Sequence, residues 1–175
     1  MSPYESRIDP AGEFPVDVPE YFFYLMFIAS RHRDLSFDGA LGPVGLTLNR
    51  WRTLSVIRRL PHCTMKDLAR YSTIDRTTLT RSVDHMVKQG VVERSTPPGD
   101  RRKVELVLTD KGEALYFEAV EALARFNRLA LRGIDVDAQR QIVRSLKTLV
   151  GNLVPDPKLR AELIAFSRLE TASEA

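Results

Sequence analysis

A chain of 175 residues with 43% apolar and 28% charged side chains is long enough to bury a core, and its composition is that of an ordinary soluble globular domain. Its net charge of +3 does not mark a nucleic-acid protein, so any such argument must rest on where the basic residues cluster. One cysteine, Cys63, excludes an internal disulfide and the multi-cysteine zinc sites, and His32, His62 and His85 are far apart in sequence. No metal or cofactor is expected, and a reducing compartment is.

In chain order, residues 1–16 contain Pro3, Pro10 and Pro15 and no sustained periodicity, which reads as an irregular arm. Residues 17–45 form a first helix and a loop. With Asp17 at its start and Pro19 at an early helical position, the helix is expected to run to about Leu35. Tyr21, Leu25, Ile28, His32 and Leu35 share one stripe, and Phe22, Met26 and Ala29 widen it beyond what one neighbour would cover. The run from Tyr21 to Ala29 is about half the length that spans a bilayer. The acids before it, Asp9, Glu13, Asp17 and Glu20, oppose a signal peptide, so the cytoplasm is the default. Ser36 to Gly45, with Asp38, Gly39, Gly42, Pro43 and Gly45, is expected as the loop. A second helix, Thr47 to Leu60, directs Leu48, Trp51, Leu54 and Ile57 inward until Pro61 ends it.

Residues 46–108 hold the informative pattern. Thr64 to Tyr71 has Thr64 as a cap and Asp67 three residues on, in the manner of a capping box, with Met65, Leu68 and Ala69 as an inner face. Ser72 to Ile74 is a connection of helix-turn-helix length. Asp75 and Gly90 then bracket another helix, one as N-cap and the other as a residue tolerant of left-handed backbone. Leu79, Val83, Met86 and Val87 form its apolar stripe. Its other face presents Arg76, Thr77, Thr80, Arg81 and Asp84, side chains suited to phosphates and base edges. Thr78 and Ser72 would serve phosphates or the helix start. Alone, such a face is more often merely solvated, but two β-prone runs follow, around a loop ending in Arg101, Arg102 and Lys103. A supporting helix, a turn, a basic helix and a basic hairpin make a winged helix-turn-helix.

Residues 109–175 read as C-terminal helices. Thr109 caps a long helix to about Arg132, with Leu115, Ala119, Ala122, Leu123, Phe126 and Leu129 or Ala130 on its apolar side and Gly133 placed to stop it. Asp135 starts another through about Leu153, with Ile142, Leu146, Leu149 and Leu153 on one face. Pro155 and Pro157 mark a break before a short helix from Lys158 to Leu169. The fold class is mainly α with a small β-hairpin wing.

The run from Leu68 to Arg94, then Asp100-Arg101-Arg102, then Leu108-Thr109-Asp110-Lys111-Gly112, resembles the MarR family of transcriptional regulators. The resemblance covers roughly Leu46 to Leu153, within a single domain of residues 17–155. Thr73 departs from it, standing where many members have glycine in the turn. The resemblance implies a homodimer held by the N- and C-terminal helices and bound to a palindromic operator, with repression the commoner mode. It also implies that one of Arg101 and Arg102 enters the minor groove while the other pairs with Asp100 to hold the wing. Similar proteins bind a small, often aromatic and acidic effector between the dimer helices and the reader. Arg31, His32, Arg33 and Trp51 are the candidate groups for one here, although a histidine on an apolar stripe is more often a core residue. Cys63 reads as inert. Nothing resembles a phosphate loop, a nucleophile elbow or a metal-ligand motif, so an enzyme is not expected. The alternative is a winged-helix module for protein contacts that binds no DNA.

Overall fold

The structure is a computed structural model that describes residues 18–72, 74–97 and 103–166. The expected arm of residues 1–16 lies outside them. Short polar side chains set the helix starts. Thr47 accepts from the amide of Arg50 ahead of α2 (Leu48–Arg59), and Asp75 from that of Thr78 ahead of α4 (Arg76–Lys88). Thr64 and Asp67 cap each other's amides in a full capping box at α3 (Met65–Tyr71). Thr109 accepts from Gly112 at α5 (Asp110–Ala130), and Asp135 from Asp137 and Ala138 at α6 (Val136–Leu153). Each cap satisfies an amide that the helix leaves without a partner, an effect of about 1 kcal/mol. A last helix, α7 (Pro157–Phe166), follows the prolines.

The first helix departs from expectation. α1 spans Val18–Leu41 and passes directly into a 3₁₀ turn, Gly42–Val44. The sequence reading placed a loop from Ser36, because Asp38 and Gly39 are poor helix residues. Packing overrides that local preference: Phe37 and Leu41 are buried, and the Phe37 ring meets Phe126 edge-on at 5.0 Å. The Asp38 carboxylate accepts from the amide of Leu48 at 2.7 Å, so it serves the start of α2.

β1 (Val92–Ser95) and β2 (Glu105–Leu108) pair antiparallel, with Val92 opposite Leu108 and Ser95 opposite Glu105. A bridge at Cys63, where the amide of Leu106 donates to the Cys63 carbonyl at 2.7 Å, adds a third short edge. The hairpin is thereby fastened to the connection between α2 and α3. Under it lies the core: Leu41, Leu54, Leu68, Leu79 and Val83 are fully buried, with Met86, Val92 and Leu106 beside them. Ala69, expected inward, is exposed. One close approach joins the hairpin to α5. A Cβ on Gly112 would stand 2.1 Å from the Val91 carbonyl oxygen, and the Thr109 hydroxyl donates to the Gly90 carbonyl at 2.7 Å.

The remaining helices are different. α6 buries none of its residues in the single chain, and Ile142, Val143, Leu146 and Leu153 are exposed. The first half of α1 exposes Tyr21, Phe22, Phe23, Tyr24, Leu25 and Phe27. None of the helices among the described residues is long and apolar enough to cross a membrane.

Candidate nucleic-acid interface

The arrangement of α3, the turn and α4 follows from the caps and the apolar stripe of α4. Leu79, Val83 and Met86 are buried, which turns the opposite face outward, and Arg76, Thr77, Thr80 and Arg81 are all exposed on it. The Thr80 hydroxyl donates to the carbonyl of Arg76 at 2.9 Å, leaving its lone pairs outward as acceptors. Thr78 is half-buried and works at the helix start: its side chain and amide hold the Asp75 carboxyl below the ordinary range. Of the two roles expected for Ser72, the geometry favours the local one: it is buried, and its hydroxyl accepts from the amide of Ile74 at 3.4 Å, in the turn before α4. Thr73, Asp100, Arg101 and Arg102 lie outside the described residues.

The wing is held to the reader by contacts that the sequence reading missed. Arg94 on β1 pairs with Asp84 on α4. Glu105, at the start of β2, is only 6% exposed. Its two carboxylate oxygens take His62 Nδ1 at 2.7 Å and Lys103 Nζ at 3.1 Å. The hydrogen bond to His62, with Lys103 behind it, holds the Glu105 carboxyl below its usual range against the opposing effect of burial. Lys103, expected at the basic tip, is therefore exposed but paired at the root of the wing. His62 adopts a left-handed backbone with φ of 60°. The alternation of β2 could have hinted that Glu105 points inward, but its partner is 43 residues away in sequence. Cys63 is buried, and burial, with Asp67 adding to it, pushes its thiol up to about 12. Almost none of it is thiolate at neutral pH, which matches the inert reading.

The candidate ligand groups are not all alike. Arg31, His32 and Arg33 are all exposed, but of the three only Arg33 has partners among the described residues. The Arg33 guanidinium lies 3.9 Å over the Phe37 ring and 3.8 Å from Asp34. Asp34 also takes Arg52 at 2.8 Å. Burial lowers the pKa of Arg33, Asp34 opposes the shift and Arg52 adds to it. Trp51 stacks on Tyr116 of α5 at 5.4 Å, and Arg58 lies 5.9 Å over the same Tyr116 ring while bonding Glu113. The structure thus places a band of cations and rings where α1, α2 and α5 meet. Of these, sequence reasoning named Arg33 and Trp51, with Asp34 as their company, but missed Arg52 and Tyr116.

Residues 44–103, from the end of the turn after α1 to just before β2, match the model of the MarR family. The solved structure of transcriptional regulator PA3341 is 30% identical, with a TM-score of 0.69 over 76% of this chain and 98% of that one. The chain belongs to the MarR family. Two further members show the same fold at lower identity. A mutant MarR from E. coli, complexed with operator DNA, is 24% identical, with a TM-score of 0.63 over 79% of this chain and 95% of that one. The Mycobacterium tuberculosis MarR family protein Rv2887, in complex with salicylic acid, is 24% identical, with a TM-score of 0.63 over 72% of this chain and 93% of that one. Membership makes this chain a transcriptional regulator with a DNA-binding winged helix. The exposed basic face of α4 lies within the matched residues, whereas α5 and α6 lie outside them.

Proposed function

We propose that the chain acts as a homodimeric, sequence-specific repressor that a small ligand, an aromatic carboxylate by chemistry, releases from a near-palindromic operator. The observation that carries this reading is the outward face of α4. Arg76, Thr77, Thr80 and Arg81 are exposed together on a helix whose opposite side is locked into the core. One of Arg101 and Arg102 enters the flanking minor groove, where a narrow electronegative cleft favours guanidinium. The exposed apolar faces of α1 and α6 supply the dimer contact, and a two-fold dimer presents its reader helices to half-sites about one helical turn apart, roughly 34–36 Å. The promoter beside the protein's own gene is the first DNA to test. A specific shift that survives excess random DNA supports the reading, whereas an unshifted promoter would leave a protein-interaction module.

The ligand part rests on the band between α1, α2 and α5. Arg33 offers a cation already partly withdrawn from water, and Trp51 and Tyr116 offer ring faces. One related structure is a complex with operator DNA and another a complex with salicylic acid, itself an aromatic carboxylate. Arg31 and His32 are exposed in the single chain and join the site where the second protomer covers α1. A ligand that prefers one reader spacing by about a hundredfold shifts the equilibrium by roughly 2.7 kcal/mol. Titrating the protein–operator complex with benzoates and cinnamates should release DNA, and His32→Ala and Arg33→Ala should blunt the response. Release that is unaltered in both variants would remove these residues from the site.

A further inference from the structure

We propose that Glu162 on α7 is a positioning residue for the DNA reader, coupling α6 through α7 to the end of α3. One oxygen of its carboxylate takes both Arg70 Nη2 at 2.7 Å and the Tyr71 hydroxyl at 3.0 Å. These are the last two residues of α3, immediately before the buried Ser72 that begins the turn into α4. The Arg70 guanidinium also lies 5.8 Å from the centre of the Tyr71 ring, so a cation, a phenol and a carboxylate form one cluster across two elements. Glu162 and Tyr71 are 91 residues apart in sequence. Their meeting is a tertiary contact, with no part in the local geometry of either helix.

The other side of α7 is braced as well. Arg160 Nη1 donates to the carbonyl of Gly151 on α6 at 3.0 Å. Residues two apart on a helix point about 200° away from each other, so Arg160 and Glu162 face opposite ways, one toward α6 and one toward α3. α7 is a strut between the helix with the exposed apolar face and the helix that supports the reader. Through this strut a displacement of α6 is passed to the end of α3. Other routes into the reader run through the chain from α2 into α3, through the hydrogen-bonded bridge from Cys63 to β2, and through the packing of α5 on the hairpin.

The pair is half-exposed, Arg70 at 37% and Glu162 at 30%, so its contribution to overall stability is small. Its effect is on the attitude of a short helix. A reader already held in one orientation pays less to be ordered on DNA than one that wanders.

The inference rests on the DNA-reading function above, and the test separates the two. In the full chain without DNA, Glu162→Gln should lower hydrogen-exchange protection of the α3 and α4 amides about two- to fivefold. The pair Arg70→Glu with Glu162→Arg, which restores opposite charges in reversed order, should recover it. Operator affinity of Glu162→Gln should fall by about the same factor with an unchanged salt dependence, because no phosphate contact is lost. Unchanged exchange in Glu162→Gln would overturn the proposal, as would a swapped pair no better protected than either single variant. Tighter binding with a steeper salt dependence would also overturn it, since Glu162 would then merely be masking a phosphate contact of Arg70. If the parent bound no operator, the function reading would fail while the exchange result still decided the role of Glu162.

Discussion

The reader and the arms around it are made of similar residues used in opposite ways. In the reader, Leu54, Leu68 and Leu79 are each at 0% exposure, closed over by α2, α3, α4 and the hairpin of one chain. On α6, Ile142, Val143 and Leu153 keep 47%, 49% and 62% of their surface in water, and on α1 Tyr24 and Phe27 keep 58% and 59%. Contiguous apolar faces of this kind are uncommon on lone soluble chains. The contrast separates a part closed by its own contacts from helices whose apolar faces stay open in the single chain, the faces proposed above for the dimer.

The largest effect should come from breaking that second half. Ile142→Asp places a charge in the face assigned to the partner and should weaken the dimer by about a hundredfold or more, because an unpaired charge cannot follow the apolar surface out of water. Light scattering across a dilution series checks it. The far-ultraviolet circular dichroism of the reader should persist, and a parent already monomeric at micromolar concentration would abolish the contrast. Next is the seam between reader and arm. Gly112→Ala forces a methyl to within 2.1 Å of a backbone oxygen, and a backbone cannot step aside as a side chain can. A loss of about 3 kcal/mol or more is expected in urea unfolding, and an unperturbed midpoint would mean that α5 can slide on the hairpin.

Within the reader, Arg81→Ala should cost about 1–3 kcal/mol of operator binding and relax preference at one base position. Substituting Arg101 or Arg102 should instead weaken binding with sensitivity mainly to minor-groove width. Equal small losses on operator and random DNA in all three variants would dissolve that division. The smallest effect is in acid. The depressed Glu105 carboxyl contributes stability above the unfolded value of about 4.3, and loses it as pH falls through the lower folded value. Glu105→Gln should therefore flatten the acid limb of the unfolding midpoint below about pH 4, relative to the parent. A parallel limb would show that the wing root is not held by that charge.

These differences also explain what could be read in advance. Caps are local, and Thr64, Asp75, Thr109 and Asp135 stand within a turn of the amides they satisfy. The stripe of α4 is local too. The basic face of the reader was legible for that reason, since it is simply what remains once Leu79, Val83 and Met86 turn inward. The failures all depend on distant partners. The extension of α1 through Gly39 needs Phe126 beside Phe37. The burial of Glu105 needs His62, and the role of Glu162 needs Arg70 and Tyr71. For Ser72 the sequence left open a phosphate or the helix start, and only the packing around it shows that it is enclosed.

The sealed position of Cys63 has a consequence for timing. Oxidation of a thiol leaves a covalent mark that outlasts the oxidant, and a regulator that carries such a mark answers to accumulated exposure. Cys63 is the sole cysteine of the sequence, and it is held protonated on the inner edge of the hairpin. Burial and the raised pKa both disfavour the thiolate that forms such a mark. The ligand proposed above, held without a covalent bond, would act only while it stays bound, so the proposed switch would follow the concentration of the moment and reset when it falls.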